Sequence, residues 1–434
     1  MKQSLKFMML LVIAGMFVIG CEKESNEDPM DAYFDAPYSE KDTTQIKADL
    51  EKTSVDMQET MSEMENQQGV DVTSNLVQLL STSSIFDDIF GIVPMDEIAS
   101  INDGKLPNVG LKSSSEEPES LEEAWEMLIG EYNYDAALDS FIKTDNADAI
   151  VINFPGLEGE TENNASLTVN NFSVFKPTKP VPSTEEIIPE LPASINAELT
   201  FMETTVMKYS LEGSYEDNGV PTLLNSILTV GAFKLVYKVE HSPYSKATAT
   251  CSLTYNDDVI IEMYGDASGN WSEQNIEDNT VTVTETDDWG TWEYNEFYFE
   301  NVLQKSNAYI QVMNVKIAGA VNIKELGTAM RALDESEEEI SEKEYVQKQA
   351  DAMNTHCKLV VVYADSKQKI AVAEVYPKQY TYYNWNQTEE TYWDMGVNML
   401  FSDDSKVDAE VYFTDLFDSM AEDLDDFFAF LDQF

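Results

Sequence analysis

Val206-Met207-Lys208-Tyr209-Ser210-Leu211-Glu212-Gly213-Ser214-Tyr215, a turn at Asp217-Asn218-Gly219, then Leu223 to Val230: this stretch decides the fold. Its period is two, as in a half-buried strand, and Asn-Gly supplies the positive φ that a tight hairpin turn needs. The same grammar extends both ways. Ile150 to Phe154 and Ser166 to Phe175 precede it, followed by a Pro-rich linker from Pro177 to Pro192. Ala197 to Met202 leads in through Glu203-Thr204-Thr205. Phe233 to Glu240, Ala247 to Tyr255, Asn256-Asp257-Asp258 as a turn, and Val259 to Tyr264 follow. Val281 to Glu285, Phe297 to Val302 and Ala308 to Ile317 complete the run. Short turns between sequential strands predict antiparallel pairing, because parallel strands need longer crossovers.

Helical spacing frames this region. Ile46, Leu50, Met57, Met61 and Met64 predict a helix over 46–66, and Leu76, Leu79, Leu80, Phe86 and Phe90 a second from Val72 to Phe90, ended by Gly91 and Pro94. The methionine stripe suits either core packing or an adaptable groove. Ser120-Leu121-Glu122-Glu123 has the form of a capping box, with Leu121, Trp125, Leu128 and Tyr132 predicting a helix over 120–142. Helices are also predicted over Ile323–Leu333 and Glu337–Asn354, the latter opening on Ser336-x-x-Glu339. A hairpin around Asp365-Ser366-Lys367 and strands at Tyr380–Tyr383 and Thr391–Leu400 come next. At the end Leu416, Phe417, Met420, Leu424, Phe427, Phe428 and Leu431 line one face of an amphipathic helix. Its polar face carries acids, unlike the basic face of an interfacial membrane helix.

The expected class is therefore α+β: a large curved antiparallel β meander with N-terminal, inserted and C-terminal helices packed on it. The divisions are 1–20 as a signal, 21–45 as an acidic tether, 46–148 as a helical region and 149–321 as a β region. A helical insertion at 322–356, a second β region at 357–411 and a terminal helix at 412–434 complete the chain.

The N-terminus gives the location. Lys2 and Lys6 precede an apolar run from Phe7 to Ile19, and Val18-Ile19-Gly20-Cys21 ends it. The run falls short of the ~20 residues a membrane-crossing helix needs, and Glu22 begins polar sequence at once. This arrangement resembles a bacterial lipobox, which implies cleavage before Cys21 and its lipidation. Glu22-Lys23-Glu24-Ser25-Asn26-Glu27-Asp28 is similar to the export stretch of Bacteroidota lipoproteins and implies an outer-membrane position, on the cell surface rather than the periplasmic side; it also suits a plain solvated tether. Asp42-Thr43-Thr44 resembles the O-glycosylation sequon of that phylum. The pattern as a whole resembles uncharacterised lipoproteins of that group. In architecture alone it is also similar to periplasmic carriers that hold acyl chains in a half-barrel.

Acidic residues number 81 against 26 basic ones, for a formal charge of −55. Such a field repels phosphate backbones and anionic headgroups, so nucleic acid is excluded as a partner and membrane attachment rests on the lipid at Cys21. Catalytic signatures are missing. His241 and His356 lie in separate elements. Phosphate loops, nucleotide fingerprints and the Gly-x-Ser-x-Gly elbow do not occur. Ser366-Lys367-Gln368-Lys369 matches Ser-x-x-Lys in a turn where that motif needs a helix. Asp266-x-Ser268-Gly269-Asn270 reads as a turn, or as the start of a calcium loop without its later ligands. No cofactor or metal site is expected, and no enzyme.

Two features stay open. Cys251 and Cys357 each sit on an apolar strand face, as core thiols or as a disulfide in an oxidising compartment. Five of six tryptophans fall between residues 271 and 393. Trp289, Trp292, Tyr382, Trp385 and Trp393 are candidate ligand-facing aromatics, able to stack on sugars or equally to pair across strands. The leading expectation is a lipid-anchored, non-catalytic binding or structural protein of the cell envelope, with a glycan or an envelope protein as partner. An amphiphile carrier and a glycan-active enzyme are the alternatives.

Overall fold

The computed structural model describes residues 30–81, 120–145, 148–180, 187–287, 290–334, 340–383, 385 and 388–410. Cys21, Trp289, the reach of the second helix past Ser81, Ser336 and the terminal amphipathic helix lie outside them.

The chain divides into two compact units. Among the described residues one comprises 55–239 and 251–260, the other 30–54, 240–250 and 261–410. The strands are β1 (Gly130–Asp135), β2 (Ser140–Thr144), β3 (Ile150–Phe154), β4 (Ala165–Phe175), β5 (Leu191–Phe201), β6 (Thr204–Tyr215), β7 (Pro221–Val230), β8 (Phe233–Ser242), β9 (Lys246–Tyr255) and β10 (Asp258–Gly269). They continue as β11 (Thr280–Asp287), β12 (Gly290–Phe297), β13 (Leu303–Val312), β14 (Val315–Asn322), β15 (Cys357–Tyr363), β16 (Lys369–Tyr383), β17 (Glu389–Leu400) and β18 (Lys406–Asp408). Sheet order is β18-β17-β16-β15-β14-β13-β10-β9-β8-β7-β6-β5-β4-β3-β1-β2, with β11 and β12 as a separate pair. This is the α+β meander that the period-two pattern predicts. The turns come where the sequence places them: Gly219 takes φ +86°, while Asn256 and Asp257 both take positive φ between β9 and β10.

The helices are α1 (Asp31–Phe34), α2 (Thr43–Glu65), α3 (Gln68–Ser81), α4 (Leu121–Leu128), α5 (Glu273–Asp278), α6 (Ile323–Asp334) and α7 (Glu342–His356). In the unit containing α3, Val72, Leu76 and Leu80 bury against Ile152, Phe154, Leu199 and Phe201 on one sheet face. Each such side chain is worth about 1.5–3 kcal/mol relative to exposure, which fixes the helix on the strands.

In the other unit both faces of the sheet are covered. Registers place Ile317, Val361 and Ala371 on one face, where Ile46 and Leu50 of α2 pack. Ala318, Val360 and Val362 share the opposite face and bury Met30, with Tyr33 and Phe34 packed alongside. The segment 30–39 is thus a strap rather than part of a free tether. Met30 is 1% exposed, and Tyr38 pairs with Lys369 through Lys369 N to Pro37 O and Ser39 N to Lys369 O, both 2.8 Å. Its apolar side chains, spaced among acids, give it a hydrophobic foothold that the composition of 21–45 conceals.

Other expectations are corrected. Helix α4 has the Ser120 cap, whose side chain accepts from Glu123 N, but it ends at Leu128. The chain then becomes the β1–β2 hairpin instead of continuing helical to 142. Tyr132 sits four residues after Leu128 as a helix would require, yet it is buried as a strand residue and its hydroxyl donates to Leu128 O. Gly130, at φ +154°, makes the break. Helix α7 is capped by Ser341 with Glu344, five residues beyond the predicted box. Phe297–Val302 is a strand end followed by a 3-10 turn, and Ala308–Ile317 is split into β13 and β14 by a turn at Met313. Asp266 to Gly269 is neither turn nor calcium loop but the end of β10.

Strands β1 and β3 pair in parallel. Strand β2 takes one side of β1 and β3 the other, and Thr144 and Ile150 both meet β1 at its first residues. Gly130 is held between them: its N–H donates to Ala149 O at 3.1 Å, and a Cβ there would stand 2.6 Å from Lys143 Cε and 3.1 Å from Thr144 O. Gly130→Ala should therefore cost about 1–3 kcal/mol through strained backbone and the clash, measured as a shift in urea midpoint at unchanged slope; a neutral substitution would show that the crossing is loose.

Candidate aromatic binding face

The register identifies one end of the sheet in the unit built on β13 to β17. Gly269 of β10 lies opposite Leu303, Lys305 opposite Asn322, and Val321 opposite Cys357. At this end the strands are not joined by tight turns. The β11–β12 hairpin is inserted between β10 and β13, and α6 and α7 between β14 and β15. Strand β16 meets β15 at Val372↔Val360, then runs on with β17 to Tyr383↔Glu389. Two hairpin arms and two helices therefore leave the sheet at the same end.

On the β16–β17 arm Tyr380 lies opposite Tyr392 and their rings stack at 5.6 Å. Tyr382 meets Tyr392 edge-on at 5.6 Å, and its hydroxyl donates to Glu390. That hydrogen bond, aided by the carboxylate charge, holds the Tyr382 hydroxyl above its ordinary range. Lys378 lies over Tyr380 and bonds Asp408 at 2.6 Å. Tyr382 and Tyr383 are exposed, and Trp385 at the turn is 91% exposed. Trp393 is different. Register puts it opposite Gln379, on the other face from the tyrosines. There it is half-buried with Lys343 Nζ of α7 4.5 Å from its ring. The predicted grouping of Tyr382, Trp385 and Trp393 is thus divided by the alternation of the strand.

On the β11–β12 arm Tyr294 lies opposite Val283 and Glu296 opposite Val281, so Trp292, Tyr294 and both valines share a face. Trp292 and Tyr294 are each 42% exposed and Val281 43%. The foot of the arm is held by the chain's single arginine, a role composition alone could not assign. Arg331 of α6 donates to Glu296 and, at 2.8 Å, to Glu300, and stacks 4.0 Å over Tyr298. Burial disfavours ionisation of Glu300, but the Arg331 hydrogen bond outweighs it and holds the carboxyl below its ordinary value. Its Oε2 has no hydrogen-bond partner among the described residues.

A third group is polar and enclosed. Lys316, 5% exposed, donates to Tyr33 Oη at 3.1 Å and lies 3.6 Å from the centre of the Tyr309 ring, with Glu262 at 4.0 Å. Tyr309 donates to Glu262, and Asn307 and Tyr264 donate to buried Asp266. Burial, then Glu262, keeps the Tyr309 hydroxyl far above its ordinary value. These residues are acid–base groups in kind, but the cluster is bonded internally and its lysine is held by the strap; it fastens the strap to β10, β13 and β14. Lys369 does likewise, donating to Phe34 O at 3.1 Å. Among the described residues no three His, Cys, Asp or Glu side chains converge as metal ligands. Cys251 and Cys357 are free, so the disulfide left open by sequence is not formed. Burial pushes both thiols up to about 11. No protein-family model, curated protein or solved structure matches this chain.

Arg331→Ala strands a carboxylate that is 5% exposed. Because Arg331 itself is about one-third exposed, we expect a loss of about 2–4 kcal/mol, at or below the usual range for breaking a buried pair. Glu300 titrates below its ordinary value of 4.5 when folded. The stabilisation is thus complete above that pH and is lost as pH falls through the folded value, so wild type and variant should converge in acid denaturation. Iodoacetamide at pH 8 should leave Cys251 and Cys357 unlabelled in the folded protein, since only about one thiol in a thousand is ionised, and label both after unfolding. Fast labelling of folded protein would contradict the suppressed ionisation of these two half-buried thiols.

Proposed function

We propose that this is a lipid-anchored, non-catalytic binding protein of the outer membrane, held at the cell surface through Cys21 and binding envelope or environmental glycans on the β16–β17 arm. The observation that carries the reading is the arm itself: Trp385 fully presented at the turn beside a ladder of Tyr380, Tyr382 and Tyr392. Flat rings offer stacking faces to the C–H faces of sugars, and Glu389 and Glu390 beside them can accept from hydroxyls. The lipobox-like run ending at Cys21 supports the anchor, and no helix among the described residues is long and apolar enough to cross a membrane. Eight residues separate Cys21 from Met30, so the lipid would lie within about 30 Å of the strap's foothold. The buried packing of α2 and the strap on opposite sheet faces favours a filled interior over the hollow that an amphiphile carrier needs. The enclosed Lys316 cluster gives a glycan-active enzyme no accessible acid–base pair.

Two measurements test this. Labelled palmitate should enter the wild type and not Cys21→Ala. A soluble form starting at Glu22 should bind on an array of bacterial and plant polysaccharides, and Trp385→Ala should weaken that binding about tenfold or more, roughly 1.4 kcal/mol. Binding that ignores Trp385→Ala, or no binding to any glycan, would remove the glycan reading, and equal labelling of Cys21→Ala would remove the anchor.

A further inference from the structure

The β11–β12 arm has a different chemistry from its neighbour, and three observations on it converge. It is partly amphipathic: Val281, Val283, Trp292 and Tyr294 share one face, with Glu296 at its foot, while Thr280, Thr282, Thr284, Glu293, Asn295 and Phe297 fall on the other. The apolar face is nonetheless open, at 42–43% exposure for Val281, Trp292 and Tyr294. An isolated two-stranded hairpin is marginal in water, and an apolar face of this kind gains from a cover. Second, this sheet has two strands among the described residues, so each presents one row of backbone N–H and C=O groups outside the ladder, the template for an added strand. Third, the charge has one sign. No lysine or arginine occurs between Lys246 and Lys305, while Glu277, Asp278, Glu293 and Glu296 all lie on or beside the arm. Arg331, at the foot of the arm, is engaged by Glu296 and Glu300.

We propose that the β11–β12 arm is a docking site for an extended, lysine- or arginine-rich peptide segment of another protein, which adds as a third strand and lays its cations over Trp292 and among the carboxylates. Charge selects this occupant. A second copy of a chain at −55 brings like charge to like, and an anionic lipid surface is repelled for the same reason. A basic strand satisfies the open edge, covers the apolar face with its aliphatic stems and gains cation–π contact with the indole. The inference concerns a different arm from the proposed glycan face and stands without it.

The test uses the soluble form starting at Glu22 and two synthetic peptides, one alternating lysine with threonine and one alternating glutamate with threonine. The lysine peptide should change tryptophan fluorescence saturably, and its affinity should fall as salt rises. Trp292→Ala should weaken it about tenfold, whereas Trp385→Ala on the other arm should leave it unchanged. Circular dichroism of the variants establishes that they fold, and Trp292→Phe, which keeps an aromatic face, should restore most of the affinity. Equal binding of both peptides, loss on Trp385→Ala instead, indifference to Trp292→Ala, or concentration-dependent dimerisation abolished by Trp292→Ala would each overturn the proposal. So would displacement of the lysine peptide by a neutral oligosaccharide, which would make this arm a second glycan face.

Discussion

The sheet of the unit built on β13 to β17 carries apolar residues on both faces, and leaving either in water would forfeit much of the free energy that folding needs. Much else in the unit built on β13 to β17 follows from that constraint. Helix α2 covers one face through Ile46 and Leu50, and the strap covers the other through Met30, Tyr33 and Phe34. Segments 30–39 and 43–65 are close neighbours in sequence, so a single passage of chain supplies both covers. The price is a lysine and several carboxylates enclosed at the strap, where Lys316, Tyr309, Glu262 and Tyr33 satisfy one another.

Scarce cations are placed where the fold needs them. With 26 bases against 81 acids, most carboxylates must face water. Some of the cations that pair do so at junctions. Lys176 joins Glu122 of α4 to Glu190 beside β5, Lys378 joins β16 to Asp408 of β18, and Arg331 joins α6 to the foot of the β11–β12 arm. Exposed pairs of this kind contribute at most about 1 kcal/mol each. Those with a buried partner matter more because removing the cation strands the charge. Part of the remaining acidity falls on the arms, where aromatic rings and carboxylates stand together.

Much of the chain was legible because its signals are local. Alternation marked the strands, Asn218-Gly219 and Asn256-Asp257 marked turns, and Ser120 marked a helix start. Errors fell where two periods coincide or where a signal is duplicated. Leu128 and Tyr132 are four apart in a helix-to-strand transition, and the cap of α7 is made by Ser341, a second serine five residues after Ser336. Ala308 to Ile317 reads as one alternating run because the two-residue turn at Met313-Asn314 carries no glycine.

What the sequence determined by itself is the class of fold, the acidic character, the apolar run from Phe7 to Ile19 and the concentration of aromatics between residues 271 and 393. Each depends on composition or on neighbours within a few positions. What the tertiary structure decided is which residues share a surface. Pairing between strands separated the Tyr382 ladder from Trp393 and set Tyr294 beside Val283, while contacts between distant segments brought Arg331 to Glu300 and made the segment 30–39 a strap. These outcomes depend on register and on contacts between distant segments, and a one-residue change of register would exchange the faces throughout.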